Sequence, residues 1–130
     1  MNIINSHSLL NYNTFKIDVN AKLFTTIHTE EDLNKVLNNA KTKNEKKFIL
    51  GGGSNILLTQ NINNLVIHNQ IKGIKVIKEN DNKINVEIGG GEVWDDIVNW
   101  STTNNLYGIE NLSLIPGSMG AAPIQNIGAY

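Results

Sequence analysis

The sequence predicts an α+β fold in two pieces, an α/β unit over residues 1–68 and the start of an α+β unit over 69–130. Three observations carry this. A β-rich run, a helical stripe and a second apolar run follow one another between Ala21 and Leu50. Period-two alternation then appears in Ile74–Val76 and Ile84–Ile88. The change of texture falls near residues 65–75, which sets the internal boundary.

Residues 1–20 are mixed and polar, with Tyr12, Phe15 and Ile17 as expected anchors. Ala21–Ile27 reads as a strand. Thr29 is placed to cap a helix, and Glu30, Glu31 and Asp32 sit where the helix dipole favours negative charge. Leu33, Val36, Leu37 and Ala40 recur at helical spacing and predict one buried stripe, followed by Lys41, Lys43, Lys46 and Lys47. Phe48-Ile49-Leu50 predicts a buried strand, halted by Gly51-Gly52-Gly53. The resulting strand–helix–strand unit predicts parallel pairing. Leu65-Val66-Ile67 predicts a further short strand. The alternating runs around Glu79–Lys83 predict an antiparallel hairpin. Gly89-Gly90-Gly91 breaks the second of them, and Glu92 opens a helix whose apolar face is Val93, Trp94, Ile97, Val98 and Trp100. Gly108–Tyr130 has no helix or strand period. It is too apolar for disorder, so it reads as a functional loop that stops at Tyr130 as a truncated end.

Composition narrows the function classes. The formal net charge of the 130 residues is −1, which disfavours nucleic acid as the main partner. All 11 cationic side chains are lysines, so an anion site must rely on main-chain N–H groups, helix N-termini or Lys rather than an Arg fork. There is no Cys, which excludes disulfides, Cys-ligated zinc and thiol catalysis. Neither a signal peptide nor a membrane span is read in the chain, and the expected setting is cytoplasmic.

Leu50-Gly51-Gly52-Gly53-Ser54-Asn55 is the first chemical candidate. Three glycines after a buried strand let the backbone approach a ligand and aim several N–H groups at one place, which suits a pyrophosphate. Ile56 stands where a dinucleotide fingerprint needs glycine, and Ile56-Leu57-Leu58 replaces the Gly-Lys-Ser/Thr of a P-loop. A plain strand-end turn explains the glycines equally well. Gly89-Gly90-Gly91 precedes an acidic first turn, which repels phosphate and favours a tight capped turn. Pro116–Pro123 is a run of small residues that admits either a flat ligand or ordinary packing. His7, His28 and His68 are too scattered in sequence for a metal motif. Glu30-Glu31 and Asp95-Asp96 read as solvated helix starts.

These motifs together are recognisable. Asn13-Thr14-Phe15, Ile49–Asn55, Ile71-Lys72-Gly73-Ile74, Gly89–Trp94, Gly108–Leu112 and above all Ile115–Tyr130 resemble the N-terminal part of the UDP-N-acetylenolpyruvoylglucosamine reductase (UDP-N-acetylmuramate dehydrogenase) family, in its type I form. The resemblance implies an FAD-binding domain of the vanillyl-alcohol-oxidase type, two subdomains with the flavin between them and the second truncated. It implies that Gly51, Gly52, Gly53, Ser54 and Asn55 wrap the FAD pyrophosphate. Ile115, Pro116, Gly117, Ser118, Gly120, Ala121 and Ala122 would line the flavin. Asn126, Gly128 and Ala129 would continue that wall, and Tyr130 would face the substrate side. Thr14 and Phe15 are assigned to the fold.

The family's reaction would be NADPH-dependent reduction of the enolpyruvyl ether of UDP-N-acetylglucosamine to UDP-N-acetylmuramate, in peptidoglycan precursor synthesis. The partner implied is a small UDP-sugar, with no nucleic acid, membrane or protein partner. No catalytic residue and no metal ligand carries over, because the family's serine, glutamate and arginine match nothing before Tyr130, and the substrate-binding domain is absent. The 130 residues alone are therefore expected to be inactive. Two further readings stand beside this one: a flavin-binding remnant without turnover, and an incomplete fold that holds no flavin tightly.

Overall fold

The computed structural model describes residues 2–80 and 82–128. In chain order it contains β1 (Ile4–Ser8), β2 (Asn20–Ile27), α1 (Glu30–Asn38), β3 (Lys47–Leu50), β4 (Ile62–Asn69), β5 (Ile74–Asn80), β6 (Lys83–Ile88) and α2 (Trp94–Thr103). Single 3-10 turns at Leu10–Tyr12, Glu110–Leu112 and Met119–Ala121 shape the connections. β1 to β4 form one sheet in the order β1-β2-β4-β3, and β5 and β6 form a separate antiparallel ribbon.

β2, β4 and β3 run parallel, with Phe24 opposite Val66 and Val66 opposite Phe48. Parallel pairing is thus observed, but β2 and β3 are not neighbours, because β4 lies between them. β4 takes the centre because Leu65, Val66 and Ile67 are all buried, and only a strand covered on both faces buries consecutive side chains. β3 is left at the edge. Leu50 is buried, but Ile49 is 59% exposed, so the strand expected to be buried is buried on one face only.

Alternation sorts the core into two layers. On one face Leu9, Val19, Phe24, Leu50, Leu58 and Val66 pack together, with Tyr12, Ile17 and Phe48 against them. On the other, Leu23, Ile27, Leu65 and Ile67 pack with Val36 and Leu33 of α1. The Thr29 hydroxyl accepts the Asp32 N–H at 3.1 Å, the expected cap, which contributes about 1 kcal/mol. The buried stripe is shorter than its spacing predicts. α1 ends at Asn38, and Leu37 and Ala40 are exposed. Thr42 folds back instead, fully buried, and its hydroxyl donates to the Val36 and Asn39 carbonyls. That contact satisfies a helix-end carbonyl that would otherwise lack a partner.

The polar N-terminus hides two structural features. β1 pairs antiparallel with β2 as an edge strand, where polar side chains are tolerated and leave little periodic signal. Tyr12 and Ile17 do pack on the core, but Phe15 is 64% exposed and anchors nothing. The organiser of this segment is Asn13, which is buried. Its Nδ2 donates to the Leu9 and Ile17 carbonyls at 2.8 and 3.0 Å, and its Oδ1 accepts the Ile17 N–H at 3.0 Å. Asn13→Ala strands these buried main-chain groups and is expected to cost about 2–4 kcal/mol in a denaturant titration. A loss under about 0.5 kcal/mol would show that water replaces the amide.

Candidate functional site

β3 and β4 end side by side, and a cleft of about 310 Å³ opens beyond them. Ligands of open parallel sheets bind in this position, outside the carboxyl ends of the strands. One wall is the segment Ile49–Ile56. Gly117, Ser118, Gly120 and Ala121 face it, joined by Ile124 and Gln125, and Asn69 and Gly90 complete the lining.

The three glycines of the first wall have different roles. Gly53 has φ +67°, and a Cβ there would overlap the Tyr12 carbonyl. Its own carbonyl accepts the Thr14 N–H at 3.1 Å, so the segment ordered by Asn13 buttresses the glycine loop from behind. A Cβ on Gly51 would collide with the Ser118 hydroxyl across the cleft. A Cβ on Gly52 would meet nothing nearer than the Gly117 backbone at 3.8 Å, an ordinary contact. Among the described residues, no protein acceptor takes the main-chain N–H of Gly52, Gly53, Ser54 or Asn55. The Ser118 hydroxyl is buried and likewise has no partner.

The second wall hangs from α2. The Trp94 N–H donates to the Gly117 carbonyl at 3.0 Å, and the Met119 N–H to the Glu92 carbonyl at 2.8 Å. The Gly120 N–H donates to the Gly90 carbonyl at 2.9 Å. The Trp94 indole donates to the Leu112 carbonyl at 2.8 Å. Asp95 accepts the Leu114 N–H at 2.7 Å and the Ser113 hydroxyl at 2.8 Å, and these bonds hold its carboxyl below the usual range. They also hold Leu114 at φ +61°, a left-handed conformation costly for a bulky side chain that is 84% exposed.

Gly89-Gly90-Gly91 forms a packed turn. A Cβ on Gly89 or Gly91 would strike the backbone of residues 70–72, and the Gly89 and Gly91 N–H groups are taken by the Gly73 and Ile71 carbonyls. Glu92 accepts the Gly73 N–H at 2.8 Å and the Lys72 ammonium at 3.3 Å. The Gly73 bond first, and then Lys72, lowers its pKa against the opposing effect of burial.

The cleft thus brings together Gly51, Gly52, Gly53, Ser54, Asn55, Gly117, Ser118, Gly120 and Ala121 from the expected set. Ile115, Pro116, Ala122, Asn126 and Gly128 lie along the same segment but outside the lining. Ala129 and Tyr130 lie outside the described residues. Sequence reasoning missed Ile49, Ile56, Asn69, Ile124 and Gln125 as lining residues, carried Leu50 only as the start of the glycine motif, and weighed Gly90 for an anion but set it aside. Only Asn69 had a readable signal, as a polar residue at the end of a buried strand. No charged side chain lines the cleft among the described residues. Its polarity comes from free N–H groups, the two serines Ser54 and Ser118 and amide side chains, a set suited to binding an anion by dipoles rather than by charge.

His7 and His68 meet elsewhere, around Phe24 and Tyr12. Burial, and then the charge of His28, lowers the pKa of His68. Among the described residues no group of His, Asp and Glu is gathered to hold a metal, and no helix is long and apolar enough to cross a membrane.

The profile of the FAD binding domain family matches residues 21–130, most of the chain. The chain belongs to that family. FAD is accordingly the cofactor of this domain, and the α+β architecture is that of an FAD-binding domain. The UDP-N-acetylenolpyruvoylglucosamine reductase of Flavobacterium johnsoniae is 54% identical over all 130 residues, which cover 38% of that protein. The reductase of the same name from Pseudomonas putida is 43% identical over 95% of the chain and 36% of its own length. The FAD-binding chain thus spans little more than a third of these relatives. The crystal structure of UDP-N-acetylenolpyruvylglucosamine reductase from Thermus caldophilus superposes with a TM-score of 0.64 at 23% identity, covering 93% of this chain and 40% of that one. That likeness is one of fold.

Proposed function

We propose that this domain is the N-terminal FAD-holding part of an NADPH-dependent reductase that converts the enolpyruvyl ether of UDP-N-acetylglucosamine to UDP-N-acetylmuramate for peptidoglycan precursors. Similarity to the reductases over the whole chain supports the reaction class. The observation that carries the cofactor's place is the cleft itself, lined on one wall by a glycine loop with four consecutive N–H groups that no protein acceptor takes and on the other by a buried, unpartnered serine hydroxyl. An unmet buried hydroxyl costs about 1–3 kcal/mol, which a ligand oxygen would relieve. The residues present fit FAD. The cleft lies near the lower end of ligand sites, roughly 300–1,000 Å³, so it holds part of a dinucleotide, centred on its pyrophosphate.

Gly52 to Asn55 would bind the phosphate oxygens through the main chain, and Ser118 would bind from the facing wall. Gly117, Gly120 and Ala121 would let the backbone approach a flat ring. When bound, FAD supplies hydride acceptance and donation. Among the described residues the lining holds serine hydroxyls, amides and main-chain N–H groups but no carboxyl, imidazole, amine or phenol, which supports a part for this chain in orienting the cofactor. That observation also favours a second reading, a flavin-binding module without turnover of its own.

Titration of the purified protein with FAD, followed by flavin fluorescence, tests the cofactor's place. Saturable binding is expected, and no binding would overturn it. Substrate-dependent NADPH oxidation separates the readings of the chain. None is expected from these 130 residues alone, and measurable turnover would overturn the view that they only bind.

A further inference from the structure

We propose that Asn69, at the carboxyl end of β4, is a phosphate-binding residue of the cleft, donating from its amide to the same pyrophosphate that the glycine loop holds. The inference rests on the reading of the cleft as the FAD pyrophosphate site. Asn69 lines the cleft beside Gly90. Its amide orientation is decided by chemistry. The Ile71 N–H donates to Oδ1 at 3.0 Å, and an N–H can only be met by the oxygen. Nδ2 is therefore turned towards Gly90, in space that a side chain at residue 90 would fill, since a Cβ there would sit 2.8 Å from it. Among the described residues Nδ2 has no acceptor. The main chain of Asn69 is held in the ladder of β4 opposite Ile27, so the donor stands on a rigid element rather than on a loop. The free N–H groups of Gly52–Asn55 and the Ser118 hydroxyl come from the two walls; Asn69 brings a third source of donors from the sheet end between them. In a chain without arginine, a neutral amide is the side chain that reads a phosphate oxygen without an unpaired buried cation.

Asn69→Asp is the decisive variant. It is isosteric and keeps the oxygen that Ile71 uses, but it replaces the donor with a negative charge. Its melting temperature is expected to stay within about 2 °C of the parent, a difference worth under 1 kcal/mol. The FAD dissociation constant is expected to rise at least about tenfold, as loss of a donor to a charged phosphate together with an added like charge would cause. Competition by ADP, which carries the diphosphate without the flavin ring, is expected to weaken by the same factor. Unchanged FAD affinity in the variant, with the parent binding normally, would overturn the role of Asn69. So would a loss confined to FAD and absent for ADP, because that places the amide on the ring. Failure of the parent to bind FAD would overturn the reading of the cleft instead. Should Asn69→Asp not fold, Asn69→Ser, which keeps a short acceptor for Ile71, is read the same way with an expected rise of about fivefold.

Discussion

Gly52→Val is expected to leave the fold standing and to lower FAD affinity about 100-fold, close to 3 kcal/mol of binding. Gly52 has no left-handed backbone, and the nearest protein atoms to an added Cβ lie at 3.8 Å. The protein therefore has no objection to a side chain at this position, and the branched methyls are directed into the space between the glycine loop and Gly117. A ligand that uses the N–H groups of residues 52–55 must lie against that backbone. Denaturation midpoints should match the parent while the FAD titration shifts. Equal FAD affinity in parent and variant would remove the glycine loop from the cofactor site. A large loss of stability would show that the loop, not the ligand, needs the space.

Gly53→Ala, one residue on, is expected to behave in the opposite way. Its φ of +67° carries a penalty of about 1–2 kcal/mol for any residue with a Cβ. The added methyl also overlaps the Tyr12 carbonyl, which cannot withdraw easily because Asn13 ties the surrounding turn at three main-chain atoms. Overpacking against backbone adds about 1–3 kcal/mol. Together these take about 2–5 kcal/mol from a domain whose whole stability is about 5–15 kcal/mol, and the melting temperature should fall by roughly 10 °C or more. A variant that melts like the parent would mean that the loop relaxes away from residues 12–14. The pair separates two glycines that look identical in the sequence.

Much of the architecture was legible. The Thr29 cap, β2, the β5–β6 ribbon and the break at residues 89–91 depend on periodicity and capping within about ten neighbouring residues, which a sequence displays directly. β1 was invisible because an edge strand can be polar, and its pairing energy comes from β2. Phe15 was misread because an aromatic side chain predicts burial only where a surface exists to cover it. The stripe Leu33–Ala40 was over-extended because Thr42, reaching back to Val36, ends the helix earlier than the apolar spacing does.

The sequence by itself determined the α+β class and the absence of any arginine fork for an anion, and it offered the glycine loop as a candidate for close approach beside a plain strand-end turn. Only the tertiary structure decided that β4 enters between β2 and β3, that Gly53 is a packing glycine while Gly52 faces the cleft, and that the Ser118 hydroxyl and the Asn69 Nδ2 are left without protein partners among the described residues. The physical reason is one of range. Backbone preference and hydrophobic period act between near neighbours along the chain. Whether a donor is satisfied, or a missing Cβ is filled, depends on which distant segment packs against it. Here those segments are residues 12–14, 51–55, 69–71, 90 and 117–121, which converge only once the sheet and α2 are in place.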